Sequence, residues 1–111
     1  MKKFFLNFIN SVNGIKEALK EHSFISEVIG GFFLIPYIYF SRIDSLFKII
    51  ILTIFFLLLA FELLNTAIEK LSDKISKDFD SDIKKIKDLS SASVFLILII
   101  LVFLIILSFF L

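Results

Sequence analysis

Three apolar stretches, joined by short charged connections, leave this chain little choice of environment. The third is the plainest: no charge interrupts "LSSASVFLILIILVFLIILSFFL" over residues 89–111. A transmembrane helix needs roughly 20 such residues. The second stretch covers about residues 46–71. The first, about residues 27–43, is short, and Gly30, Gly31 and Pro36 stand where they could kink it or admit a close neighbour. Hydrophobic residues make up 59% of the 111, well above the roughly 45–50% of soluble domains. The expected fold is therefore an all-α membrane protein forming one integral-membrane domain over residues 1–111.

Residues 3–22 differ from the three spans. Phe5, Phe8, Val12, Ile15 and Leu19 recur every three or four positions, with Lys2, Lys16 and Lys20 off that stripe or at its edge. Asn7, Asn10 and Asn13 break the apolar run, which disfavours a signal peptide. The pattern predicts an amphipathic helix lying on the membrane surface. Residues 41–45, "SRIDS", read as a tight turn. Residues 72–88 form a charged connection with Ile75, Phe79, Ile83 and Ile86 at helical spacing, expected to be a partly helical surface segment.

Lysines set the orientation. The N-terminal helix and the second connection carry ten of them, whereas the first connection offers only Arg42 and Lys48. The positive-inside rule places the N-terminus and second connection in the cytoplasm and the C-terminus outside.

The second span ends unusually, in "FELLNTAIEK". Glu62, Asn65 and Glu69 fall at i, i+3 and i+7, on one side of a helix. An ionisable group at membrane depth costs at least ~2.5 kcal/mol, which makes Glu62 a functional candidate. Asp73, a turn beyond Glu69, is better read as a headgroup-zone charge paired with a lysine. There is no cysteine and only His22, so disulfides, thiolate chemistry and a tetrahedral zinc site are excluded. Hard oxygen ligands select Mg²⁺ or Ca²⁺, and Mg²⁺ usually arrives with phosphates held by one or two carboxylates. Phosphoryl transfer needs that metal, a cation and a base. Lys87 could serve as the cation and Glu62 as the base. The three glycines form neither a P-loop nor a dinucleotide-binding loop.

At these residues the chain resembles the prokaryotic diacylglycerol kinases. The resemblance rests on the signature "ELLNTAIE" at residues 62–69, on "KDLSSASV" at 87–94 and on "EHSFISE" at 21–27. It implies a homotrimeric bundle in the bacterial inner membrane, with active sites shared between subunits. It implies ATP as co-substrate with Mg²⁺, and a membrane lipid, diacylglycerol in the first instance, as phosphoryl acceptor. Glu62 would be the general base, with Glu21 and Glu69 on metal and nucleotide phosphate. Asn65, Lys87, Asp88 and the loop residues Asp78, Phe79 and Asp80 would serve the nucleotide. Lys2, Glu27 and Ser91 would join Glu62 around the lipid substrate. Ile9 stands where members carry an aromatic residue, and Lys2 where they carry arginine. A sister branch phosphorylates undecaprenol with the same machinery. The reading from another class, a non-catalytic assembly or channel protein, is disfavoured because the third span offers no polar path.

Overall fold

The computed structural model describes residues 1–111. It contains four helices and no strands: α1 (Lys2–Ala18), α2 (His22–Phe40), α3 (Ser45–Ile75) and α4 (Ser81–Ser108). The last three are long and apolar enough to cross a membrane. At 1.5 Å per residue, the 19 residues of α2 reach about 28 Å, roughly one hydrocarbon thickness. The 31 of α3 and 28 of α4 reach about 46 and 42 Å, so both overshoot it.

The overshoot lies at one end. Tyr37 and Ser108 share a hydrogen bond of 2.8 Å between their hydroxyls, and Lys48 Nζ donates to the Tyr39 carbonyl at 3.4 Å. These contacts gather the end of α2, the start of α3 and the end of α4 on one level. Counting about 20 residues inward from there brings the opposite boundary near residue 22 in α2, 65 in α3 and 89 in α4. The charged end of the bundle begins at those residues.

The other helices pack on α3, α4 most extensively, α2 less and α1 least. The core side of α3 reads Ile51, Phe55, Leu58, Glu62, Asn65 and Ser72, spaced by threes, fours and one seven. Gly31 of α2 meets it closely, because a Cβ there would lie 2.5 Å from Cζ of Phe55. That is the neighbour the sequence leaves room for. The helix continues through Pro36 to Phe40.

Two expectations need correction. The first membrane helix starts at His22, not near residue 27, which brings Glu27 inside it. Residues 72–88 do not form a separate surface segment: α3 continues to Ile75, α4 starts at Ser81, and only a five-residue loop intervenes. Local chemistry explains the extension. Asp80 caps α4, its Oδ1 accepting from the backbone N–H of Asp82 at 2.9 Å and Ile83 at 3.1 Å. Lys84 pairs with Asp88 one turn on, at 2.7 Å, and Lys87 Nζ meets Asp73 Oδ1 at 2.5 Å, tying the two extensions together.

Only 13 of 111 residues are buried. One copy therefore does not enclose its own apolar surface. Phe32, Phe33, Phe95 and Phe103 stay exposed on the spans, as do Phe4, Phe5 and Phe8 on α1. In water this would be untenable, whereas in a bilayer lipid tails or neighbouring helices cover such faces.

Candidate functional site

The polar stripe of α3 is a continuation of its core stripe. The spacing that buries Ile51, Phe55 and Leu58 goes on to bury Glu62 (6% exposed) and Asn65 (7%). Carboxylate and amide thus occupy positions that packing gives to leucine one turn earlier. Glu62 lies just inside the hydrocarbon boundary by helix length, and Glu69, two turns on, is exposed beyond it.

The stripe is wired internally. Asn65 Nδ2 donates to Glu69 Oε1 at 2.8 Å, across one helical turn. The other atom of that amide, Oδ1, is buried and has no partner. From α2, Glu27 reaches the same depth, with its carboxyl next to that of Glu62. Its Oε2 is likewise buried without a partner. Buried polar atoms are rarely left unpaired, so two orphans beside a buried carboxyl mark a place that expects polar company.

Glu21 sits at the joint between α1 and α2, where the backbone is extended. Its Oε1 lies 3.6 Å from Nζ of Lys70, the residue after Glu69. Nearby Glu17 is held by Lys20 at 2.9 Å. That hydrogen bond, then the charge of Lys20, keep the exposed Glu17 carboxyl below its ordinary range.

Lys87 and Asp88 fall at the polar boundary of α4, opposite this end of α3, and both carry ion pairs: Lys87 with Asp73, Asp88 with Lys84. Asp73 is exposed, and its pairing with a lysine agrees with the headgroup-zone reading. Asp78, Phe79 and Asp80 lie in the connecting loop and help line a cavity of about 350 Å³ with Lys77, Lys84 and Lys87. Asp80 has a second task there as the α4 cap.

The remaining candidates are more scattered. Ser91 is exposed, and it is Ser90 that turns inward. Lys2 lies at the opposite end of α1 from Ala18, about 24 Å along the helix, so one chain does not bring it to Glu62. Ile9 is exposed on the same helix. Sequence reasoning missed Ser72, buried at 4% on the stripe, and the contact of Lys70 with Glu21. Ser72 was findable, since it stands seven residues after Asn65.

Glu21, Asn65 and Glu69 offer hard oxygen donors. No three acidic or histidine side chains converge into an all-protein cage. As donors, carboxylates and an unpartnered amide oxygen are of the kind Mg²⁺ takes, an ion that keeps waters and draws its remaining ligands from phosphate. The arrangement is thus an acid at membrane depth, with metal-type donors one and two turns toward the polar side.

The family model described as prokaryotic diacylglycerol kinase matches residues 9–109, all but the first eight and last two positions. No curated protein matches the chain.

Proposed function

Since this chain belongs to the prokaryotic diacylglycerol kinase family, and is thereby a membrane lipid kinase, we propose that it transfers the γ-phosphoryl group of ATP to diacylglycerol, forming phosphatidic acid. The observation that carries the proposal is the depth order on α3: buried Glu62, then Asn65, then exposed Glu69. A lipid hydroxyl arrives from the bilayer, and a nucleotide arrives from water. Of the polar groups on α3, only the deepest acid is in reach of the first, and only the outer ones are in reach of the second.

In this reading the Glu62 carboxylate takes the proton of the lipid hydroxyl as its oxygen attacks the γ-phosphorus, and ADP leaves. Glu27, against Glu62, lines the acceptor side, with Lys2 and Ser91 farther out. Glu69, oriented by Asn65, and Glu21 hold Mg²⁺, which when bound neutralises phosphate charge. Lys87, Asp88 and the loop residues Asp78, Phe79 and Asp80 face the nucleotide. Lys87 already sits at the right level, held by Asp73.

A homotrimer with sites shared between subunits, in the bacterial inner membrane with α1 and the α3–α4 loop cytoplasmic, completes the proposal. Its supports are the open apolar faces, the distance of Lys2 from Glu62 and the lysine-rich charged end. The whole chain then acts as one kinase domain. "EHSFISE" and "SSASV" favour diacylglycerol over undecaprenol as acceptor. The test is purified protein in mixed micelles with Mg-ATP and each lipid in parallel. Faster phosphorylation of diacylglycerol supports the proposal. Preference for undecaprenol transfers it to the sister activity, and phosphorylation of neither overturns it.

A further inference from the structure

Lys70 is a cation placed beside the two carboxylates proposed to hold the metal ion. It directly follows Glu69, and its Nζ stands 3.6 Å from Glu21 Oε1. At that distance the pair is a charge contact and not a hydrogen bond. Both side chains are partly exposed, 55% and 43%, so the contact is weak and readily exchanged. Glu17, the other acid near Lys70, is already engaged by Lys20, which leaves Glu21 as the partner of Lys70.

Lys70 also stands where two cavities meet. One, of about 420 Å³, lies between α1 and α3 and is lined by Gly14, Ala18, Leu63 and Thr66. The other, of about 790 Å³, opens along the polar end of α3 beside Asp73, Lys74 and Lys77. An ammonium on a flexible four-carbon stem at such a junction has room to turn without disturbing the backbone.

We propose that Lys70 is an exchangeable cation of the nucleotide site: it occupies Glu21 in the free protein, gives that carboxylate up when the metal–nucleotide enters, and then faces the nucleotide phosphates. This rests on the kinase reading of Glu21 and Glu69. A divalent ion and an ammonium cannot share one carboxylate at close range without repelling each other. The ammonium contact at 3.6 Å is long, partly exposed and weak, so a metal ion held by Glu21 together with nucleotide phosphate displaces it. The displaced ammonium is left beside the triphosphate, where a positive charge is favourable. Lys70 thus weakens binding of bare metal and strengthens binding of the nucleotide, so that the two load together.

The opposed signs are the signature. A residue that merely tethers the α1–α2 joint to α3 would, when removed, loosen metal and nucleotide alike. Lys70→Gln and Lys70→Arg are compared with the unaltered full-length protein in micelles. Mn²⁺ serves as spin probe for metal binding without nucleotide, and Mg-ATP binding is measured by calorimetry. For Lys70→Gln, Mn²⁺ affinity should rise and Mg-ATP affinity fall, each by roughly two- to fivefold, the range of an exposed charge pair. Lys70→Arg should restore both. Changes of the same sign, or no change in either, overturn the proposal while leaving the kinase reading intact. Failure of the unaltered protein to bind Mg-ATP would overturn both.

Discussion

Asn65 Nδ2 donates a 2.8 Å hydrogen bond to Glu69 Oε1, while the other atom of the same amide is buried and unpartnered. One side chain therefore fixes a carboxylate at the water side and keeps an acceptor free beside Glu62. In an isolated helix an i, i+4 pair of this kind contributes a few tenths of a kcal/mol. Its value here lies in orientation.

The first prediction concerns that bond. Asn65→Ala frees Glu69 to adopt other rotamers, and misplacement of a positioning group can cost about 10²-fold in rate. kcat/KM for Mg-ATP should fall by roughly 10- to 100-fold, with the KM for lipid little changed. Glu69→Gln and Glu21→Gln should damage Mg²⁺ and ATP dependence in the same direction. Steady-state kinetics with each substrate varied in turn decides the matter, and an effect confined to lipid KM would remove Asn65 and Glu69 from the nucleotide side.

A second prediction tests the packing of α2 on α3. Gly31→Ala places a methyl 2.5 Å from the ring of Phe55, which is itself 4% exposed and has little room to retreat. Overpacking of this kind typically costs about 1–3 kcal/mol. Thermal unfolding in micelles should show a lowered midpoint, partly recovered by adding Phe55→Leu. Equal stability of Gly31→Ala and the unaltered protein would mean that the helices are farther apart.

Much of this arrangement is legible in the sequence, and the failures have physical causes. Residues 62–69 reveal the polar stripe because helical spacing alone aligns Glu62, Asn65 and Glu69. The three membrane helices follow from length and hydropathy. The limits of the helices were less legible. Charged residues at 72–75 and 81–88 look like a surface connection, yet the Asp80 cap and the Lys84–Asp88 and Lys87–Asp73 pairs extend both helices into water. Such pairs depend on which helix faces which, a relation that a linear string does not carry. The Lys70–Glu21 contact was illegible for the same reason, since it joins residues 49 positions apart across two helices.

The third prediction is topological. Cysteines introduced at Ser76 and after Leu111 should behave oppositely toward a membrane-impermeant thiol reagent in intact cells. The C-terminal cysteine should be labelled and the one at position 76 protected until the membrane is opened. Labelling of position 76 first would invert the orientation and move the carboxylates away from cytoplasmic ATP.

The central claim is that Glu62 is the general base for a hydroxyl presented from the bilayer, and Glu62→Gln tests it most directly. Glutamine preserves shape and can still meet Glu27, so assembly and nucleotide binding should persist. Loss of a general base typically costs about 10²- to 10⁴-fold in rate. The decisive measurement is the turnover number with diacylglycerol, on protein whose oligomeric state and Mg-ATP affinity are determined in the same preparation. Turnover should fall by at least about 100-fold with assembly and Mg-ATP affinity unchanged, and near-normal turnover in an assembled, ATP-binding Glu62→Gln protein would rule out Glu62 as the base.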